Sequence, residues 1–135
     1  MDLAAEREKS TSDLEEQDAP DELVYANVLK FVEQHLSPLY GRYIDLEGRA
    51  EVFTWCGQWW RHREAVSRLT ALWKAWESLR KDPTTGLAVW WRDYADPTMR
   101  ALFDEHGPFE GCSPRRHRPK TAPLVTIPPP EGLFD

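Results

Sequence analysis

The reading of residues 63–81, REAVSRLTALWKAWESLRK, decides the fold. Val66, Leu69, Leu72, Trp73, Trp76 and Leu79 recur at i, i+3, i+4 and i+7, the spacing that stacks side chains along one face of a helix. Glu64, Arg68, Lys74, Glu77 and Lys81 fall on the opposite side and predict a solvated face. Asp82-Pro83-Thr84-Thr85-Gly86 then supplies turn chemistry, and the helix is expected to end there.

Working outward from this helix, the segment Leu87 to Tyr94 fits either a short helix or a strand. Leu87, Trp91 and Tyr94 share one helical side and favour the helix. Asp96-Pro97 reads as a cap with proline at the first helical position, opening a last short helix through Phe103. Upstream, Val24, Val28, Phe31, Val32, His35, Leu36 and Leu39 repeat at helical spacing behind Asp21, a fitting N-cap. That helix is expected to stop near Ser37 or around Pro38, because proline disfavours helix in the residue before it. Between the helices, Tyr43-Ile44 and Val52-Phe53-Thr54-Trp55 flank Glu47-Gly48, which predicts a β-hairpin. The expected fold class is therefore mainly α with a short β-hairpin, a small α+β domain around one tryptophan-rich core of about three to four helices.

A chain of 135 residues has room for one domain. Its net charge of −6 is unevenly spread. Residues 1–22 hold nine acids against Arg7 and Lys9, a net −7, and the remainder holds 14 acids against 15 bases. The acidity belongs to the N-terminal tail, so it does not point to a partner for the domain itself. Residues 1–20 have no apolar stripe and are expected to be a disordered acidic tail. Residues 21–118 form the foldable unit, and 119–135, with Pro119, Pro123, Pro128, Pro129 and Pro130, are expected to be a disordered proline-rich tail. No apolar run reaches the length of a membrane span and the N-terminus lacks the pattern of a secretory signal, so a soluble cytoplasmic protein with no membrane partner is expected.

The seven tryptophans lie in three blocks: Trp55, Trp59 and Trp60; Trp73 and Trp76; Trp90 and Trp91. A small domain is marginal unless its core residues are large, and each indole can bury roughly 150–250 Å². The three blocks are expected to converge in one aromatic core. Neighbours such as Trp59-Trp60 and Trp90-Trp91 cannot both point inward, which makes Trp60 and Trp90 the expected interaction surface. An exposed indole would also suit stacking on a nucleic-acid base or a ligand.

These blocks carry a family resemblance. Trp55-Cys56-x-x-Trp59-Trp60-x-His62, Leu69-x-x-Leu72-Trp73-x-Ala75-Trp76-Glu77, Gly86-x-x-x-Trp90-Trp91-x-Asp93 and Gly107-Pro108-Phe109-x-x-Cys112 with His117 resemble, as a set, the family of unknown function catalogued as domain of unknown function 4913. The resemblance covers about residues 25 to 118. It implies an actinobacterial source and a mobile-element, phage or accessory setting, and it supplies no activity.

Among residues able to carry chemistry, Cys56, His62, Cys112 and His117 form a C-x5-H and a C-x4-H pair about fifty residues apart. Two sulfurs and two imidazoles are the ligand set of tetrahedral zinc, and a structural zinc is the one cofactor the sequence suggests. The other reading is two buried thiols and two surface histidines with no cofactor. Arg61 and Arg63 at the start of the main helix, with Arg115, Arg116, Arg118 and Lys120 beyond it, are the residues expected to contact nucleic acid if nucleic acid is a partner. They would otherwise be a solvated helix start and a basic linker. Asp93, Asp96, Asp104 and His106 are the residues from which a metal-assisted hydrolytic site would have to be built, at a spacing with no recognised logic. No nucleophile elbow, phosphate-cradling loop or dinucleotide fingerprint is present. Leu124-Val125-Thr126-Ile127 ahead of three prolines would suit strand addition to a partner. The function expected is thus an accessory or adaptor interaction module with an unidentified protein partner. Nucleic-acid binding is the alternative, and a small metal-dependent enzyme is third.

Overall fold

A computed structural model describes residues 22–41, 53–119 and 122–135. Among them the fold is three helices and connecting loops, with no strand. Helix α1 begins at Val28, where the Asn27 side chain accepts the Lys30 N–H at 2.9 Å. The expected cap Asp21 lies outside the described residues. Helix α2 spans Arg63–Leu79 and is the amphipathic helix read from its periodicity. Its stripe buries Ala65, Leu69, Leu72 and Trp76, with Val66, Trp73 and Leu79 partly covered. Helix α3 starts at Gly86 and runs to Phe103, so the segment around Trp90 and Trp91 is helical.

Helices α1 and α3 both pass through a proline without stopping, against the sequence expectation. In α1 an α-helical turn, Val28–Phe31, opens into a π-helical stretch, Val32–Leu36, and returns to α over Ser37–Leu39. In α3 the same order appears as Gly86–Val89, Trp90–Ala95 and Asp96–Phe103. An interior proline removes one donor and its ring collides with the carbonyl four residues back. Widening the preceding turn makes room for the ring. Ser37 N–H reaches Val32 O and Asp96 N–H reaches Trp91 O, each an i to i−5 bond just ahead of Pro38 and Pro97.

The expected β-hairpin is not formed. Its second arm, Phe53 to Trp55, is irregular, and Thr54 N–H donates to Phe103 O at 3.0 Å at the end of α3 instead of to a strand. The arm at Tyr43-Ile44, the Glu47-Gly48 turn and Val52 lie outside the described residues. The only ladder-like contact among the described residues is an isolated antiparallel bridge between Ser113 and Arg116. The fold is therefore mainly helical.

The core joins the helices through aromatic edges. Phe31 of α1 packs 5.9 Å from Trp76 of α2 and 6.4 Å, edge to face, from Trp90 of α3. Tyr40 closes the end of α1 by donating its hydroxyl to Asp96 at 2.8 Å and packing on Trp91 and Phe103. A second group, Trp55, Phe103 and Phe109, extends this core toward the C-terminal loop. Among the described residues no helix is long and apolar enough to cross a membrane.

Glu77 departs from its predicted solvent face. It is only 5% exposed. The N-terminal segment covers it, and its carboxylate accepts Val24 N–H at 3.0 Å, Tyr25 N–H at 2.9 Å, Trp73 Nε1–H at 3.2 Å and Arg80 Nε–H at 3.1 Å. Burial acts to raise its pKa, but the bonds from Tyr25, Val24, Arg80 and Trp73 together outweigh it and hold the carboxyl below the usual glutamate value.

Candidate metal centre

Four short pieces of chain build the site at the N-terminal end of α2. The irregular arm after Phe53, pinned to Phe103, delivers Cys56 into the core. A 3-10 turn, Trp59–Arg61, follows, and His62 N–H bonds to Trp59 O at 3.0 Å. His62 occupies the N-cap position of α2 with extended backbone, yet its side chain makes no cap bond. The imidazole is buried and turned toward Cys112.

The other half is the loop after α3. Gly111 adopts φ +81°, a left-handed conformation that a side chain would strain, and it reverses the chain ahead of Cys112. Ser113 and Arg116 then exchange backbone hydrogen bonds of 2.8 and 3.2 Å, folding the loop back so that His117 faces the cluster. Gly57 N–H donates to Ser113 O at 3.4 Å, and a Cβ on Gly57 would collide with the Pro114 carbonyl oxygen. The two loops touch backbone to backbone only because that position has no side chain.

One ligand atom from each of Cys56, His62, Cys112 and His117 lies within 4.8 Å of all the others. Cys56 Sγ is 3.4 Å from His117 Nδ1, Cys112 Sγ is 3.6 Å from His62 Nε2, and Cys112 Sγ is 4.0 Å from His117 Nδ1. Zinc bonds of about 2.3 Å to sulfur and about 2.0–2.1 Å to nitrogen give a sulfur–nitrogen edge of roughly 3.6 Å in a regular tetrahedron. The three sulfur–nitrogen separations of 3.4, 3.6 and 4.0 Å bracket that edge. Arg118 N–H donates to Cys112 Sγ at 3.3 Å, the kind of bond that supports a thiolate ligand. Without a cation, burial and the neighbouring Cys112 sulfur push the Cys56 thiol up to about 11. The donor set, its spacing and its supporting bond therefore fit zinc.

A comparison with known families matches residues 25–130 to the family described as a domain of unknown function, DUF4913. The chain belongs to that family. Neither the comparison with curated proteins nor that with solved structures found a match. The DUF4913 match contains all four of the clustered side chains, and it reaches past residue 118, where the resemblance read from the motifs ends, to Pro130. It therefore takes in Leu124, Val125 and Ile127, which lie outside helix and strand and whose side chains are almost fully exposed.

The remaining sequence candidates are scattered over this DUF4913 domain. Arg61, Arg63, Arg115, Arg116 and Arg118 are exposed on the two loops of the cluster, and Lys120 lies outside the described residues. Trp60 is 56% exposed, whereas Trp90 is 1% exposed and donates its Nε1–H to Leu72 O at 3.2 Å. Trp90 is thus no interaction surface. Its ring fills the gap between α1 and α2, and its neighbour Trp91 is the partly covered member of the pair. The acidic residues do not converge with His106. Asp93 pairs with Arg92 at 2.9 Å, Asp96 accepts from Tyr40, and Asp104 accepts the His106 N–H at 2.8 Å. The periodicity of α2 did not reveal the Glu77 clasp, since the segment covering that carboxylate lies more than fifty residues away.

Proposed function

We propose that this DUF4913 domain is an accessory interaction module, an adaptor rather than a catalyst, clamped by one structural zinc ion on Cys56, His62, Cys112 and His117. The gathering of one ligand atom from each within 4.8 Å carries the reading. Four protein ligands complete a tetrahedron and leave no position for substrate or attacking water, the arrangement of a structural rather than a catalytic zinc. The need for such a clamp follows from size, because a domain this small buries limited surface and metal binding adds folding free energy. The exposed segment at Leu124 to Ile127 supports the adaptor role. Leu124, Val125 and Ile127 present apolar side chains on an unpaired backbone, which suits addition to the sheet edge of a protein partner. An actinobacterial plasmid or phage setting, implied by the family resemblance, belongs to the same proposal.

Elemental analysis of the purified chain is expected to give one zinc per molecule. Cobalt substitution should show the visible absorption of a tetrahedral site with thiolate ligands. Chelation should lower Tm by at least about 10 °C, and Cys112→Ser should abolish both the stoichiometric metal and the chelator effect. Protein without stoichiometric metal, melting identically with and without chelator, would overturn the reading.

A further inference from the structure

The two clustered histidines sit in the same tripeptide, Arg61-His62-Arg63 and Arg116-His117-Arg118. Their rings meet edge to face at 4.8 Å, while the arginine on each side of each histidine is exposed. Two thiolates offset the charge of a zinc dication, so the clamp itself is neutral and leaves the charge of the two tripeptides to their four arginines. Among the described residues no carboxylate pairs with these four. Glu64 is bound to Arg68 at 2.9 Å, and Glu110 faces His106 at 3.9 Å. Arg61 and Arg63 line a groove of about 550 Å³ together with His117, Pro119, Pro123 and Glu64, whose carboxylate is the one bound to Arg68. Beside it Trp60 is the most exposed indole among the described residues, with the Arg61 guanidinium 5.8 Å from its ring centroid.

We propose that this end of the domain binds single-stranded nucleic acid, with backbone phosphates against Arg61, Arg63, Arg116 and Arg118 and a base stacked on Trp60. The proposal rests on the zinc-clamp reading, because the metal is what fixes the two arginine-flanked histidines side by side. Clustered guanidinium groups recognise phosphates, and an indole beside them adds a face for a base. A duplex keeps its bases stacked inside and cannot use Trp60 in this way. An acidic peptide would satisfy the arginines but offers no ring to the indole.

Zinc-loaded full-length protein titrated into a labelled oligothymidylate of about 15 nucleotides tests this by fluorescence anisotropy. Four neutralised phosphates, at a slope of about −0.7 each, weaken affinity about 50-fold between about 50 and about 200 mM salt. Trp60→Ala should weaken binding at least about 5-fold with Tm and zinc content unchanged, and Trp60→Phe should restore most of it. Replacing Arg116 and Arg118 together by alanine should flatten the salt slope by about 1.4. The proposal is overturned if the zinc-loaded protein does not bind, if Trp60→Ala binds as well as wild type, or if a duplex of equal length binds more tightly. Zinc content of the same sample separates the two readings. One zinc without oligonucleotide binding overturns this proposal and leaves the clamp standing, whereas equal binding by chelator-treated protein overturns the metal's part in ordering the surface.

Discussion

The carboxylate of Glu77 accepts the backbone N–H of Tyr25 at 2.9 Å and so fastens the middle helix to a segment fifty-two residues earlier in the chain. Removing that carboxylate strands the Val24 and Tyr25 N–H groups and the Trp73 indole N–H in a covered site and releases Arg80. Glu77→Ala is expected to cost about 3 kcal/mol, and Glu77→Gln, which keeps one acceptor oxygen, about 1–2 kcal/mol, measured by urea denaturation. The charge dependence has a defined sign. A folded pKa below the unfolded value of about 4.3 gives stability that is complete above that value and is lost as pH falls through the folded pKa. The gap between wild type and Glu77→Gln should therefore close in acid and stay constant above about pH 5.

His35 titrates in a different window. Its ring lies 4.5 Å from that of Trp76, and its Nδ1 is 3.1 Å from the Tyr25 hydroxyl. Burial lowers its pKa and outweighs the opposing pull of the Glu77 charge. The unfolded chain, with histidine near about 6.5, takes up its proton first, so this contribution to stability is complete above about pH 6.5 and declines below it. His35→Phe should flatten the dependence of Tm on pH between about 5 and about 6.5, read by thermal melts across that range.

Gly57→Ala should disturb the proposed zinc site without touching any of the four clustered side chains. The added methyl meets the Pro114 carbonyl, and backbone on both sides cannot turn away as a flexible side chain would. A destabilisation of about 1–3 kcal/mol is expected, with metal affinity reduced because the loops carrying Cys56 and Cys112 are forced apart. Chemical denaturation and a competitive chelator titration measure the two effects separately.

The adjacent aromatic pairs predict opposite outcomes for two similar substitutions. Trp90→Ala empties the centre of the three-helix contact and removes the donor to Leu72 O, and it should cost about 3–5 kcal/mol. Trp60→Ala removes an exposed ring and should stay within about 0.5 kcal/mol of wild type. Equilibrium unfolding of both variants checks the contrast.

How much of this was legible in the sequence depended on the range of the forces involved. Arg63–Leu79 could be read because an amphipathic period is a property of the helix alone. At Pro38 the rule for the preceding residue assumes an ordinary α-turn, and at Pro97 the expectation of a new helix behind an Asp96 cap does the same, whereas each preceding turn widens to admit the ring. Phe53 to Trp55 has strand composition, but its backbone finds Phe103 rather than a neighbouring strand, and composition carries no information about that partner. Glu77 looked solvated because periodicity assigns a side of the helix without saying what covers it. The encounter of Cys56 and His62 with Cys112 and His117 was open to suggestion from ligand chemistry alone. Nothing in their spacing forces them together, and the closure depends on Gly57, Gly111 and the turn at Ser113.

The separation of those pairs sets an order of events during synthesis. Cys56 meets a histidine 61 positions later, and His62 meets a cysteine 50 positions later. As the chain leaves the ribosome, the first thiol and imidazole emerge long before their counterparts exist. All three helices have been made by then. A product cut short between Phe103 and His117 can hold every described helix and still lack the residues that complete the Cys–His cluster.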